Sequence, residues 1–175
     1  IRWDDELLMA PDRTLREQAG YLADYPLFSS RPVWRILGLP GPEAALSPEM
    51  MSLWHLLGIG KFLRGLPKGM REKVASATIS RREARSLQLG SILGDSSCMW
   101  ILDDPFATEG RKKTQRRLAA VLQRAKGRTV IVSLSGRVSL ELFDRVLVLH
   151  HGRIIFDGTP NEWKEAENAS TDSGC

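Results

Sequence analysis

An α/β fold, built on a parallel sheet and interrupted by a helical insertion, is what this sequence predicts, on three observations. Cys98-Met99-Trp100-Ile101-Leu102 is an apolar run that ends in Asp103-Asp104-Pro105, and Thr129-Val130-Ile131-Val132-Ser133-Leu134 is a second such run. Short apolar runs without alternation suit strands covered on both faces. Between them, residues 111–126 place Leu118, Val121, Leu122 and Ala125 on one helical face and stop at Gly127. Strand, helix, strand over residues 98–134 reads as a right-handed βαβ unit. Residues 42–95 read as a mostly helical insertion placed before it.

With 175 residues, 42% of them hydrophobic and 26% charged, the chain suffices for one domain with one core and is unlike a globally disordered sequence. No apolar stretch approaches the roughly 20 residues that span a bilayer and no signal peptide opens the chain, so a soluble protein is expected. The chain begins at Ile1 instead of Met, and is therefore expected to be a piece of something longer. The only cysteines are Cys98, in a strand expected to be buried, and Cys175 at the end. That excludes a disulfide framework or a cysteine metal site, and fits a reducing compartment. The net charge is +4, and the densest basic run is Arg111-Lys112-Lys113-Thr114-Gln115-Arg116-Arg117. Such a run suits phosphates or an anionic membrane surface. At the start of a helical pattern it reads as a solvated face, and a nucleic-acid partner is not expected.

Taken in order, residues 1–16 read as a strand remnant, a turn at Pro11-Asp12 and a lead into Ala19-Gly20-Tyr21-Leu22, a short strand. Ala23 to Phe28 is then a loop with an acid, Asp24, at the strand's end, extended by Ser29, Ser30 and Pro32. Gly38, Pro40, Gly41 and Pro42 make the strongest break and set a subdomain boundary. Ser47-Pro48 starts a helix with a capping hydroxyl and proline at the first helical position. Met50, Leu53, Trp54 and Leu57 give it one apolar face, and Gly58 and Gly60 end it. Residues 61–77 follow as a second short helix, a turn at Leu66-Pro67-Lys68-Gly69 and a connector. Ser80-Arg81-Arg82-Glu83 is a capping box that opens a helix to about Leu93. Further on, Leu140 to Asp144 is a helical turn. Val146-Leu147-Val148-Leu149 is a strand that turns at His151-Gly152 into Arg153-Ile154-Ile155-Phe156. His150 and His151 have no metal-ligand companions and read as part of that turn. Thr159-Pro160-Asn161-Glu162 is another capping box, and residues 166–175 are expected to be a disordered tail.

The chemistry of the chain is expected at Asp103 and Asp104. In open α/β sheets ligands bind beyond the carboxyl ends of the strands, where this pair falls. Two adjacent carboxylates there divide the work, one holding Mg²⁺ directly or through water, the other orienting or deprotonating a water. The bland alternative is a solvated Asp-Asp-Pro turn.

The order of these segments resembles the ATP-binding cassette of ABC transporters, from just after its phosphate-binding loop to its carboxyl end. Gly20 to Phe28 looks like the strand and Q-loop, and Ile79-Ser80-Arg81-Arg82-Glu83 occupies the place of the signature motif. Met99 to Asp104 looks like the Walker B strand, and Phe106-Ala107-Thr108-Glu109-Gly110 falls at the D-loop. Thr129 to Ser135 falls at the strand and switch position, and Phe143 through Gly158 at the closing hairpin. Leu66-Pro67-Lys68-Gly69 is similar to the loop before the signature in exporter-type cassettes. The resemblance implies a P-loop-NTPase-like core without its N-terminal part. It divides the chain into a partial core at 1–41, a helical subdomain at 42–95, a core with the Walker-B-like strand and closing hairpin at 96–165, and the tail. It also implies ATP and Mg²⁺ as cofactors in the complete cassette, with transmembrane domains and a second nucleotide-binding domain as partners. Its location would be cytoplasmic, at the face of a membrane.

Departures from the family pattern shape the functional expectation. No Gly-x-x-x-x-Gly-Lys run is present, and the sole Gly-Lys pair, Gly60-Lys61, is followed by Phe62. Asp24 stands for the Q-loop glutamine, and Arg81 and Arg82 for the two signature glycines, whose lack of bulk lets backbone amides reach a phosphate. By the same carry-over, Asp24, Ser80, Arg81, Arg82 and Glu83 are the nucleotide-binding positions and Asp103 is the metal ligand. Asp104 and Ser135 are the catalytic positions, in place of a glutamate and a histidine. A carboxylate one methylene short and a hydroxyl that carries no proton at neutral pH imply impaired hydrolysis. Three readings follow: a fragment of a transporter ATPase, a degenerate regulatory cassette, and a cassette-derived interaction module.

Overall fold

The apolar run ending at Asp103 does form the middle of a parallel sheet. The computed structural model describes residues 18–107, 109–135 and 138–169, together with the backbone of 2–3, 6–7 and 170–172. It divides into two compact units, Ile1–Gly136 and Arg137–Cys175. In the first, Arg2–Trp3 (β1) and Glu6–Leu7 (β2) pair antiparallel. The turn expected at Pro11-Asp12 lies outside the described residues.

Ala19–Leu22 (β3), Met99–Asp103 (β6) and Thr129–Ser133 (β7) make a parallel sheet in the order β3-β6-β7, with β6 between its neighbours. Register pairs Leu22 with Leu102 and Leu102 with Val132, so Leu22, Trp100 and Leu102 share the buried face. The opposite row is Tyr21, Ile101 and Ile131, in which Tyr21 and Ile131 are exposed. The expectation of strands covered on both faces is thus corrected to one covered face among the described residues. An unbroken apolar run leaves that question open, because it says nothing of what lies above and below it. Cys98 is corrected too: it precedes β6 and is exposed.

The insertion begins earlier than its apolar periodicity suggests. Arg31–Pro32 (β4) pairs antiparallel with Lys73–Val74 (β5), and Val33–Ile36 forms a short helix (α1). Pro48–Leu57 (α2) starts on Ser47, whose hydroxyl accepts from the Met50 amide at 3.2 Å, and ends at Gly58 with φ 86°. That left-handed backbone favours glycine. Gly58 does end α2, but Gly60 falls inside the next helix, Ile59–Arg64 (α3).

Arg81–Gly94 (α4) turns Ala84, Leu87, Leu89, Ile92 and Leu93 into the core. It packs closely at Gly90, where an added Cβ would lie 2.7 Å from Ile59 Cδ1 and 2.8 Å from Leu37 Cδ2. At its other end Ile92 presses on β3 at Gly20, where an added Cβ would meet it at 3.0 Å. Arg111–Arg124 (α5) buries Leu118 and Val121, and packs on α2.

In the second unit Val146–His150 (β8) and Arg153–Gly158 (β9) form the expected hairpin, turning at His151 and Gly152, both at positive φ. Arg145 clamps it by donating to both Asp157 oxygens at 2.6 Å, and this hydrogen bonding holds the Asp157 carboxyl below its usual range. Pro160–Asp172 (α6) opens on the Thr159–Glu162 capping box. The tail expected to be disordered from residue 166 instead continues α6 to Asp172. The cap starts the helix and Trp163 anchors it edge-on to Phe156, with ring centroids 5.1 Å apart. No glycine or proline then stops it before Asp172.

Volume and backbone freedom separate two glycines of one helix. Gly90→Val is expected to lower the unfolding free energy by about 1–3 kcal/mol through overpacking. Gly94→Ala, with nothing within 4 Å of the new methyl, is expected to raise it by about 0.4–1 kcal/mol. Urea denaturation of both variants against the parent chain measures the contrast.

Candidate functional site

Three chain segments meet at the carboxyl end of β6. At Asp104 the backbone leaves the strand with φ 39°, a left-handed conformation that costs a non-glycine residue about 1–3 kcal/mol unless neighbours hold it. They do hold it. The Asp104 amide donates to the Ser133 carbonyl at 3.1 Å and to its hydroxyl at 3.0 Å. Arg85 from α4 donates through Nη2 to the carbonyls of Asp103, at 3.0 Å, and of Asp104.

The two carboxylates are held separately. Ser133 Oγ donates to Asp103 Oδ1 at 2.5 Å, and Ser135 Oγ donates to Asp104 Oδ2. Asp103 therefore keeps Oδ2 for another partner, and Asp104 keeps Oδ1. This donor set fits Mg²⁺, which takes one or two protein carboxylates and completes its octahedron with water and phosphate. No cluster of three or more metal-ligating side chains exists among the described residues.

Asp24, at the end of β3, faces α4. Arg81 pairs with it through Nη2 and Oδ2, and also donates from Nε to its carbonyl at 3.2 Å. Arg85 Nη1 lies 3.4 Å from Asp24 Oδ1. The Arg81 guanidinium also covers the Tyr25 ring at 5.3 Å. Ser80 and Glu83 serve each other as the capping box, with the Glu83 amide on Ser80 Oγ at 3.2 Å and the Ser80 amide on Glu83 Oε2 at 2.8 Å. Of the positions expected to meet nucleotide, Asp24 and Arg81 pair with each other and Ser80 pairs with Glu83.

Arg82 turns the other way, to Glu109 at 3.2 Å. Glu109 Oε1 also receives Lys113 at 3.5 Å and Arg117. Arg117 corrects the reading of residues 111–117 as a wholly solvated face, because its side chain is only 5% exposed. Burial pushes its pKa down and the nearby Arg82 adds to that, with Glu109 opposing.

Sequence reasoning missed Arg85, Glu109 and Ser133 as site residues. For Arg85 a signal existed: it precedes Leu89 and Ile92 at helical spacing, a lone charge at the head of an apolar stripe. Glu109 carried no such mark.

No family model matches the chain. It is 27% identical over 159 residues to the glutathione/L-cysteine transport system ATP-binding/permease protein CydC of Haemophilus influenzae, a match that covers 90% of this chain and 28% of that protein. The sulfate/thiosulfate import ATP-binding protein CysA of Brucella melitensis is 32% identical over 125 residues, covering 69% of this chain and 31% of that protein. Among solved structures, a bacterial Atm1-family ABC exporter with ATP bound has the same fold at a TM-score of 0.65 and 22% identity, over 88% of this chain and 27% of that one. The chain thus spans less than a third of the length of each.

The two ion-pair groups differ in burial, and substitution separates them. Glu109→Gln, which leaves Arg117 buried without its carboxylate, is expected to cost about 3–5 kcal/mol. Arg81→Ala, which breaks a half-exposed pair, is expected to cost less than about 1 kcal/mol. Urea titrations at low salt measure both.

Proposed function

Because the chain belongs to the nucleotide-binding domains of ATP-binding cassette transporters, we propose that it is part of a component coupling ATP to transmembrane transport, with hydrolysis impaired at its own site. The partners in this reading are transmembrane domains and a second nucleotide-binding domain at the cytoplasmic face of a membrane. Among the described residues no helix is long and apolar enough to cross a membrane, so the spanning part belongs to other segments or subunits. The relatives include import proteins and a lipid A-core flippase.

The observation that carries impaired hydrolysis is the occupation of Arg81 and Arg82 by Asp24 and Glu109 of the same chain. Where the family's pattern has glycines, this chain has two side chains that crowd the backbone and are committed elsewhere. Asp103 is the residue that would hold Mg²⁺, which when bound would neutralise phosphate charge. Asp104 is the group that would orient water. Ser135, already donating to Asp104, fixes that carboxylate and adds no proton carrier. A silent regulatory cassette, the second reading, rests on the same occupation.

Calorimetric titration of the 175-residue chain with Mg-ATP, beside a phosphate-release assay, tests the proposal. Binding no tighter than about millimolar and no turnover are expected, since no Gly-Lys phosphate loop lies in these residues. Micromolar binding with turnover refutes impaired hydrolysis. In the longest natural chain, Asp104→Glu with Ser135→His is expected to raise turnover. Unchanged absence of turnover while ATP binds would assign the defect to Arg81 and Arg82.

A further inference from the structure

Behind Arg82 lies a cavity of about 20 Å³, lined by Arg82, Arg85, Arg117 and Glu109 together with apolar side chains such as Leu57 and Phe106. Its charges do not balance. Three cations, Arg82, Lys113 and Arg117, converge on the single oxygen Oε1 of Glu109. Arg85 is offset by Asp24, which Arg81 shares. The Arg85 and Arg117 side chains are 8% and 5% exposed, and the Nε–H group of each has no hydrogen-bond partner among the described residues. A buried guanidinium with an unused donor is a costly arrangement unless something accepts from it. Burial is the main push on the Arg117 pKa downward, with Arg82 adding to it and Glu109 opposing.

We infer that this cavity is a binding site for one small monovalent anion of the halide class, held by the uncommitted donors of Arg85 and Arg117 with Arg82 on its exposed side. Size sets the class, because a cavity of this volume holds one particle about as large as water. Phosphate, sulfate and carboxylates need Arg82 displaced. Charge sets the sign: Glu109 is countered three times over, so the field left in the cavity is positive. A water would meet the unpartnered Glu109 Oε2 but would leave that field uncompensated. The site shares Arg82 with the proposed function, but the carboxylates Asp103 and Asp104 do not line it.

Chlorine-35 NMR on the 175-residue chain is the test, at constant ionic strength with gluconate replacing chloride. Excess line broadening is expected, and bromide is expected to reverse it. Arg82→Gln removes an exposed cation while Glu109 stays paired with Lys113 and Arg117, and is expected to weaken chloride binding on the order of tenfold. Arg124→Gln, an equal change of charge at the exposed far end of α5, is expected to leave it unchanged. No excess broadening in the parent chain, or an equal response in both variants, overturns the site and leaves a water there.

Discussion

The guanidinium of Arg85 is the contact on which the arrangement of this chain depends. It sits where β3, α4 and the end of β6 converge, and it satisfies groups from two of the three at once: the Asp24 carboxylate and the carbonyls of Asp103 and Asp104. Desolvating a cation is expensive, and only a set of acceptors offsets it. Here the acceptors are backbone carbonyls freed where the chain turns out of the strand at Asp104, groups that need a donor themselves. Each side thus meets the other's requirement, and the left-handed backbone at Asp104 is held by the same contact. Hydrogen bonds to a charged group contribute about 1.5–3 kcal/mol, comparable to the strain of that turn.

Arg81 and Arg82 illustrate how differently two neighbours can be committed. Arg81 belongs to a half-exposed pair with Asp24, which solvent screens and which a stronger anion can open. Arg82 is also exposed, but its partner Glu109 is 4% exposed and bound to Arg117 and Lys113 as well. Freeing Arg82 leaves Glu109 still paired, so the side chain is a removable cover on a buried cluster. Neither release undoes the other consequence of these residues. A side chain at the first turn of α4 keeps ligands from approaching the backbone as closely as glycine allows, whatever its charge is doing.

Much of the fold was legible because it is written in local rules. Ser47, Ser80 and Thr159 cap helices as their spacing to Met50, Glu83 and Glu162 requires, and Gly58 stops α2 through its positive φ. These signals act within four residues, and periodicity reads them directly. What failed to show were facts set by distant segments. Burial of Arg117 depends on Glu109 folding back onto α5, eight residues away. The exposed row of Tyr21 and Ile131 depends on what covers the sheet's second face. The docking of α6 on β9 depends on Trp163 meeting Phe156. For the site, the acids Asp24, Asp103 and Asp104 were legible as strand-end residues, but the arginine that gathers them was hidden in an apolar helix face.

The two serines at the end of β7 bear on what the acidic pair can do. Ser133 serves Asp103 while accepting from the Asp104 amide, so one hydroxyl joins the two acidic residues across the β6–β7 edge. Ser135 then holds Asp104 from the next turn of chain. Each carboxylate has one oxygen held by a serine hydroxyl, which fixes both in direction. That geometry favours holding a hard cation, which needs rigid oxygen donors and tolerates shared ones. A base must accept a proton from water and pass it on. Beside Asp104 the hydroxyl of Ser135 already donates its only hydrogen to that carboxylate.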